Sequence, residues 1–121
     1  MSGNDFHLRS ADWSSFKYTA PTGGVEAGDM VKVNDRIGVV SKDADAGDEA
    51  VAIYRSEAIV VPKEAATGIT FSLGSKVYYD ETNARVTSTS AANTYVGTAN
   101  EAASASATTV EIDLKGDNSE V

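Results

Sequence analysis

From Val31 to Lys115 the chain is built from short runs of Val, Ile, Tyr and Thr, each closed off by a cluster of Gly, Asp, Asn or Ser. That punctuation confines it to short strands and tight turns, because β-branched and aromatic residues suit a pleated, half-buried surface and turn residues interrupt it. The clearest stretch is the run from Thr108, where Val110, Ile112 and Leu114 share one face and Thr109, Glu111, Asp113 and Lys115 the other. One face is core and the other is wet. The 3.6-residue periodicity of a helix is almost absent. Strands are expected at Met30 to Val33, Arg36 to Ser41, Ala50 to Val61, Lys76 to Tyr79, Ala84 to Ser88, Thr94 to Asn100 and Thr108 to Lys115. This spacing predicts an all-β fold, a small β-sandwich or barrel of about seven strands.

Two phrases repeat: "EAGDMVKVND" from Glu26 and "SLGSKVYYDE" from Ser72. Each reads as a glycine-led approach to the first arm of a hairpin, turning at Asn34-Asp35 in one case and at "DETN" in the other. The resemblance between the phrases is short and degenerate, and on sequence alone it is read as recurring β punctuation and not as proof of duplicated domains. "AVAIYRSEAIVVPK" is too long and mixed for one simple strand, so a bulge or bend is expected near Arg55 to Glu57, with Pro62 ending the strand. "NEAASASATT" reads as a loop, since Ser and Thr interrupt any apolar helical face.

At 121 residues the chain is sized for one domain that buries roughly two-thirds of its unfolded surface. Ten Lys and Arg against eighteen Asp and Glu give a net charge of −8, which repels phosphate backbones and anionic lipid, so neither nucleic acid nor membrane is an expected partner. There is no cysteine, so stability must come from packing or assembly. No run of apolar residues approaches the length that spans a bilayer, and none near the start resembles a signal-peptide core, so synthesis in a cytoplasm is expected.

The first twenty residues differ from the rest. They carry Phe6, Leu8, Trp13, Phe16 and Tyr18 among polar neighbours, which predicts an extended N-terminal arm over 1–20, a β-domain over 21–116 and a tail over 117–121. Those five apolar side chains are the candidate contact residues for a partner surface or a neighbouring subunit, since aromatic anchors often dominate interface energy. The competing interpretation is that Phe16 and Tyr18 begin the first strand and Trp13 caps the protein's own core.

Candidates for chemistry are weak. His7 is the only histidine and lies in the expected arm, away from the rigid support a catalytic triad needs. "KDADAGDE" places Asp43, Asp45, Asp48 and Glu49 in one loop, but Gly47 is out of register for a calcium loop and the distal glutamate is missing. "GITFSLGSK" lacks phosphate-loop spacing and is followed by a strand, not a helix. Glu57 with Glu111 or Asp113 could be proposed as a glycosidase pair, yet any acidic β protein offers such pairs. Tyr54, Tyr78, Tyr79 and Tyr95 fit cross-strand packing better than a sugar-stacking platform. No enzyme activity, metal or cofactor is expected, and a carbohydrate-binding module is the alternative to a structural role.

Ala27-Gly28-Asp29 ahead of the first hairpin, Gly38-Val39 followed by "DADAGDE", Val60-Val61-Pro62-Lys63, Gly74 with Val77-Tyr78, Val96-Gly97 and the closing Val110 to Leu114 occur together in an order that resembles the small phage capsid cement or decoration proteins. The resemblance covers about Val25 to Gly116 and leaves the first twenty residues outside. It implies a β-rich protein that binds the outside of an assembled icosahedral head, with the major capsid protein and further copies of itself as partners, usually as a homotrimer at threefold and quasi-threefold positions. Its implied location is the outer surface of the virion. Members of the family are sometimes labelled recombinases, and the missing phosphate loop argues against that label.

Overall fold

The computed structural model describes residues 13–117, and all its regular structure there is strand. The eight strands are β1 (Trp13–Thr19), β2 (Met30–Val33), β3 (Arg36–Val40), β4 (Glu49–Pro62), β5 (Lys76–Asp80), β6 (Arg85–Thr87), β7 (Thr94–Ala99) and β8 (Thr109–Lys115). They form one sheet in the order β2-β3-β4-β8-β7-β5-β6, with β1 paired to β4 off that path. Every named pair of strands is antiparallel. Beyond the end of β4, a parallel bridge joins Lys63 to Val86 and the Glu64 N–H donates to Val86 O at 2.8 Å, curling the sheet into a nearly closed barrel.

β4 makes this geometry possible. Its register with β8 shifts between Ser56 and Ile59, and the β1–β4 ladder shifts between Ser14 and Ser15, so the strand changes direction near the expected bend. Its first half pairs with β1 and β3, and its second half with β8. The core follows from the alternation: Val110, Ile112 and Leu114 of β8 are buried together with Ile59, Val61, Val77, Tyr79, Val86 and Val96. Ile37, Val39 and Ile53 belong to the same cluster.

Val40, Ala50 and Ala52 are also buried but lie outside that cluster, so β3 and the first half of β4 are covered on both faces. Phe16 sits opposite Ala52 in the ladder and Tyr18 opposite Ala50, which places the β1 rings on this second face beside the two alanines. The eighth strand therefore comes from the segment the sequence assigned to the arm.

Lys63 is the buried lysine at the barrel seam. Its ammonium donates to the carbonyls of Glu64 at 2.8 Å and Ala107 at 3.2 Å, tying the end of β4 to the loop before β8. Burial outweighs the pull of the Glu64 carboxylate and holds its pKa below the ordinary lysine value.

Candidate functional site

Of the five expected contact residues, Phe6 and Leu8 lie outside the described residues. Trp13 opens β1 opposite Ser56. Phe16 and Tyr18 are half-buried, with ring centroids 5.8 Å apart, and Phe16 also meets Tyr54 at 5.9 Å. The Arg36 guanidinium lies 4.2 Å from the Tyr54 ring centroid, a cation–π contact that extends the cluster across β3. Burial and then Asp29 raise the Tyr18 pKa, and its hydroxyl is buried with no hydrogen-bond partner. These rings serve the protein's own sheet whatever else they touch.

The expected turns hold the loops in place. Asn34 has φ +56°, as the Asn34-Asp35 hairpin turn requires. In "DETN", Asp80 accepts from the Asn83 side chain at 2.7 Å, a bond that is the main reason its pKa lies below the usual carboxylate range. In the acidic loop, Asp43 is committed to the Ala27 N–H at 2.9 Å. No group of three or more potential ligands is placed to hold a metal among the described residues. His7 lies outside them. The segment after "GITFSLGSK" is strand β5. Tyr78 and Tyr95 are paired across strands and meet edge-on, centroids 6.1 Å apart at 71°, so each ring packs against the other.

The two repeated phrases share far more than punctuation. Val25 exchanges two backbone hydrogen bonds with Ala44 at 2.9 and 3.0 Å, and Phe71 does the same with Ala103 at 3.0 Å each. Each phrase then makes a four-residue turn. Asp29 N–H donates to Glu26 O at 3.0 Å, and Ser75 N–H to Ser72 O at 2.9 Å. The fourth side chain closes the ring, Asp29 Oδ2 accepting from Glu26 N–H and Ser75 Oγ from Ser72 N–H, both at 2.9 Å. The third residue is glycine at φ +95° in one and +88° in the other, the left-handed conformation that a type II turn demands.

Gly28 N–H then donates to Val40 O, and Gly74 N–H to Ala99 O, both at 2.8 Å. Val40 N–H returns to Asp29 O and Ala99 N–H to Ser75 O, again at 2.8 Å. The partner segments match as well: Gly38 to Asp48 and Gly97 to Ala107 each run from a glycine crowding the next strand, through the bridge to Val25 or Phe71, to a further turn.

The frames differ in what they present. The second turn residue is Ala27 in the first frame, 3% exposed. In the second it is Leu73, 76% exposed and the one exposed large hydrophobic among the described residues. Sequence reasoning passed over Leu73 because a single leucine beside glycine carries no periodic signal.

Across this framework, the family model for phage cement proteins matches residues 11–114. The chain belongs to that family. No curated protein and no solved structure matches it. The match begins ahead of β1, so in this cement protein the strand that carries Phe16 and Tyr18 lies inside the family's shared span, which is wider at its N-terminal side than the resemblance read from Val25 onward. Membership gives the cement protein a structural role in a phage.

Proposed function

We propose that this cement protein binds the outer surface of an assembled phage head and stabilises it without catalysing a reaction. The observation that carries the proposal is the extent of the family match, which reaches into all eight strands rather than resting on one motif. Its partners in this reading are the major capsid protein and further copies of itself, as a homotrimer at threefold and quasi-threefold positions. Several modest contacts engaged together hold far more tightly than one, and an oligomer whose symmetry matches the shell's can engage them all. It is made in the host cytoplasm and resides on the virion.

Heads lacking the protein, compared with heads after it is added back, test this. Added protein should give density on the outer surface at threefold positions by cryo-EM and raise the temperature at which heads release DNA. Absence of outer density, or no change in release temperature at full occupancy, overturns the reading.

The candidate contact residues Phe6, Leu8, Trp13, Phe16 and Tyr18 are sorted by Trp13→Ala. As a contact, Trp13 should cost roughly 2 kcal/mol or more in head binding with little change in melting temperature. As a core cap it should lower the melting temperature by several degrees and leave occupancy unchanged.

A further inference from the structure

We propose that Leu73 is the knob of a contact between copies of this chain, seating in the open recess that β1, β2 and β5 form on a second copy. This rests on the self-association in the reading above but is independent of the shell. The turn geometry does not ask for leucine: the matching frame makes the same turn with alanine at that position. Nor does the fold, since the side chain is 76% exposed. Yet its backbone is held tightly. The Ser72–Ser75 turn carries its own closing bond and the Ser75 Oγ bond, and it is pinned to Ala99 on one side and, through Phe71, to Ala103 on the other. A leucine fixed in water on a rigid turn loses little further freedom when it is buried against a partner.

The recess is a space of about 550 Å³ lined by Tyr18, Pro21, Val31, Val33 and Tyr79, with Lys32 and Glu81 paired at 3.4 Å on its rim. Leu73 lies three residues before β5 and Tyr79 is its fourth residue, so about 10 Å of strand, together with the turn, separates knob from recess within one copy. Leu73 and the Tyr79 side of the recess stand at opposite ends of β5, so the leucine that fills it is a neighbour's. Copies that each carry a net charge of −8 repel one another, so a contact between them is best made by uncharged groups, and Ser72, Leu73, Gly74 and Ser75 carry none. Knob and recess are unlike patches, so copies can join head-to-tail into a ring when the rotation fits, or pair reciprocally about a twofold axis.

The absence of native cysteine makes the test direct. Single-cysteine variants Leu73→Cys and Val33→Cys, mixed in solution without heads and mildly oxidised, should give a disulfide-linked dimer well above either variant alone. Leu73→Ser should weaken self-association by about tenfold or more in light scattering while its melting temperature stays that of the unsubstituted chain. No enrichment in the mixture, self-linking of Leu73→Cys alone, or unchanged association of Leu73→Ser overturns the inference. If Leu73→Ser associates normally but fails to occupy heads, Leu73 faces the shell: this inference falls and the cement reading stands. Cross-linking in the mixture by protein that does not bind heads upholds the contact between copies and overturns the cement reading.

Discussion

The turns at Glu26–Asp29 and Ser72–Ser75 share every backbone hydrogen bond described for them, yet one is packed into the fold and the other stands out from it. The strands that follow show the same contrast. Met30 starts β2 buried, whereas Lys76 at the matching place in β5 is exposed and Val77 and Tyr79 are buried instead. A backbone frame therefore fixes where a strand begins without fixing which face looks inward. Neighbours decide that: among the described residues β2 pairs only with β3, while β5 lies between β7 and β6.

The harshest way to break the comparison is at the paired glycines Gly38 and Gly97. A Cβ on Gly97 would overlap Asp113 O from a backbone at φ +146°, so Gly97→Ala should cost more than about 4 kcal/mol or prevent cooperative folding. Gly38 has ordinary φ and its Cβ would stand 2.8 Å from Ile53 O, so Gly38→Ala should cost about 1–3 kcal/mol. Urea denaturation of both measures the gap, and equal losses would mean the two frames are supported alike.

Exchanging the second turn residues comes next. Ala27→Leu forces bulk into a buried site and should cost about 1–3 kcal/mol. Leu73→Ala should leave stability within about 0.5 kcal/mol. A large loss at Leu73 would show that the fold itself uses this side chain.

Tyr79 and its counterpart Val33 separate the halves by pH. Burial, then Glu81 and Asp80, push the Tyr79 phenol up to about 12, against about 10 in an unfolded chain. A raised folded value favours the neutral form, so this contribution is intact below pH 10 and is lost as pH rises from 10 to about 12. Allowing for solvent screening, it amounts to about 1–2 kcal/mol. Tyr79→Phe should flatten that alkaline limb in melting temperature against pH, and Val33→Ala should leave its shape unchanged.

The smallest contrast concerns the closing side chains. Asp29→Ala and Ser75→Ala each remove one exposed hydrogen bond to a backbone N–H, and each should cost about 0.5–1.5 kcal/mol. Similar values by chemical denaturation would sharpen the equivalence of the turns, and a difference above that range would break it.

The sequence by itself determined the local pieces: the seven strands from Met30 onward, the Asn34-Asp35 and "DETN" turns, the bend in β4 and the core face of β8 carrying Val110, Ile112 and Leu114. These are legible because turn chemistry acts over three or four residues and alternation over two. The candidate site was legible only in part. Aromatic composition singled out Phe16 and Tyr18, but their place beside Ala52 and Ala50 depends on pairing with a strand some thirty residues away. Only the tertiary structure decided that Trp13–Thr19 joins the sheet, that Val86 closes the barrel against Lys63, and that of two like turns Ala27 turns inward and Leu73 outward. Each of those outcomes depends on which distant strand arrives alongside, and side-chain burial is a property of that meeting rather than of any local run of residues.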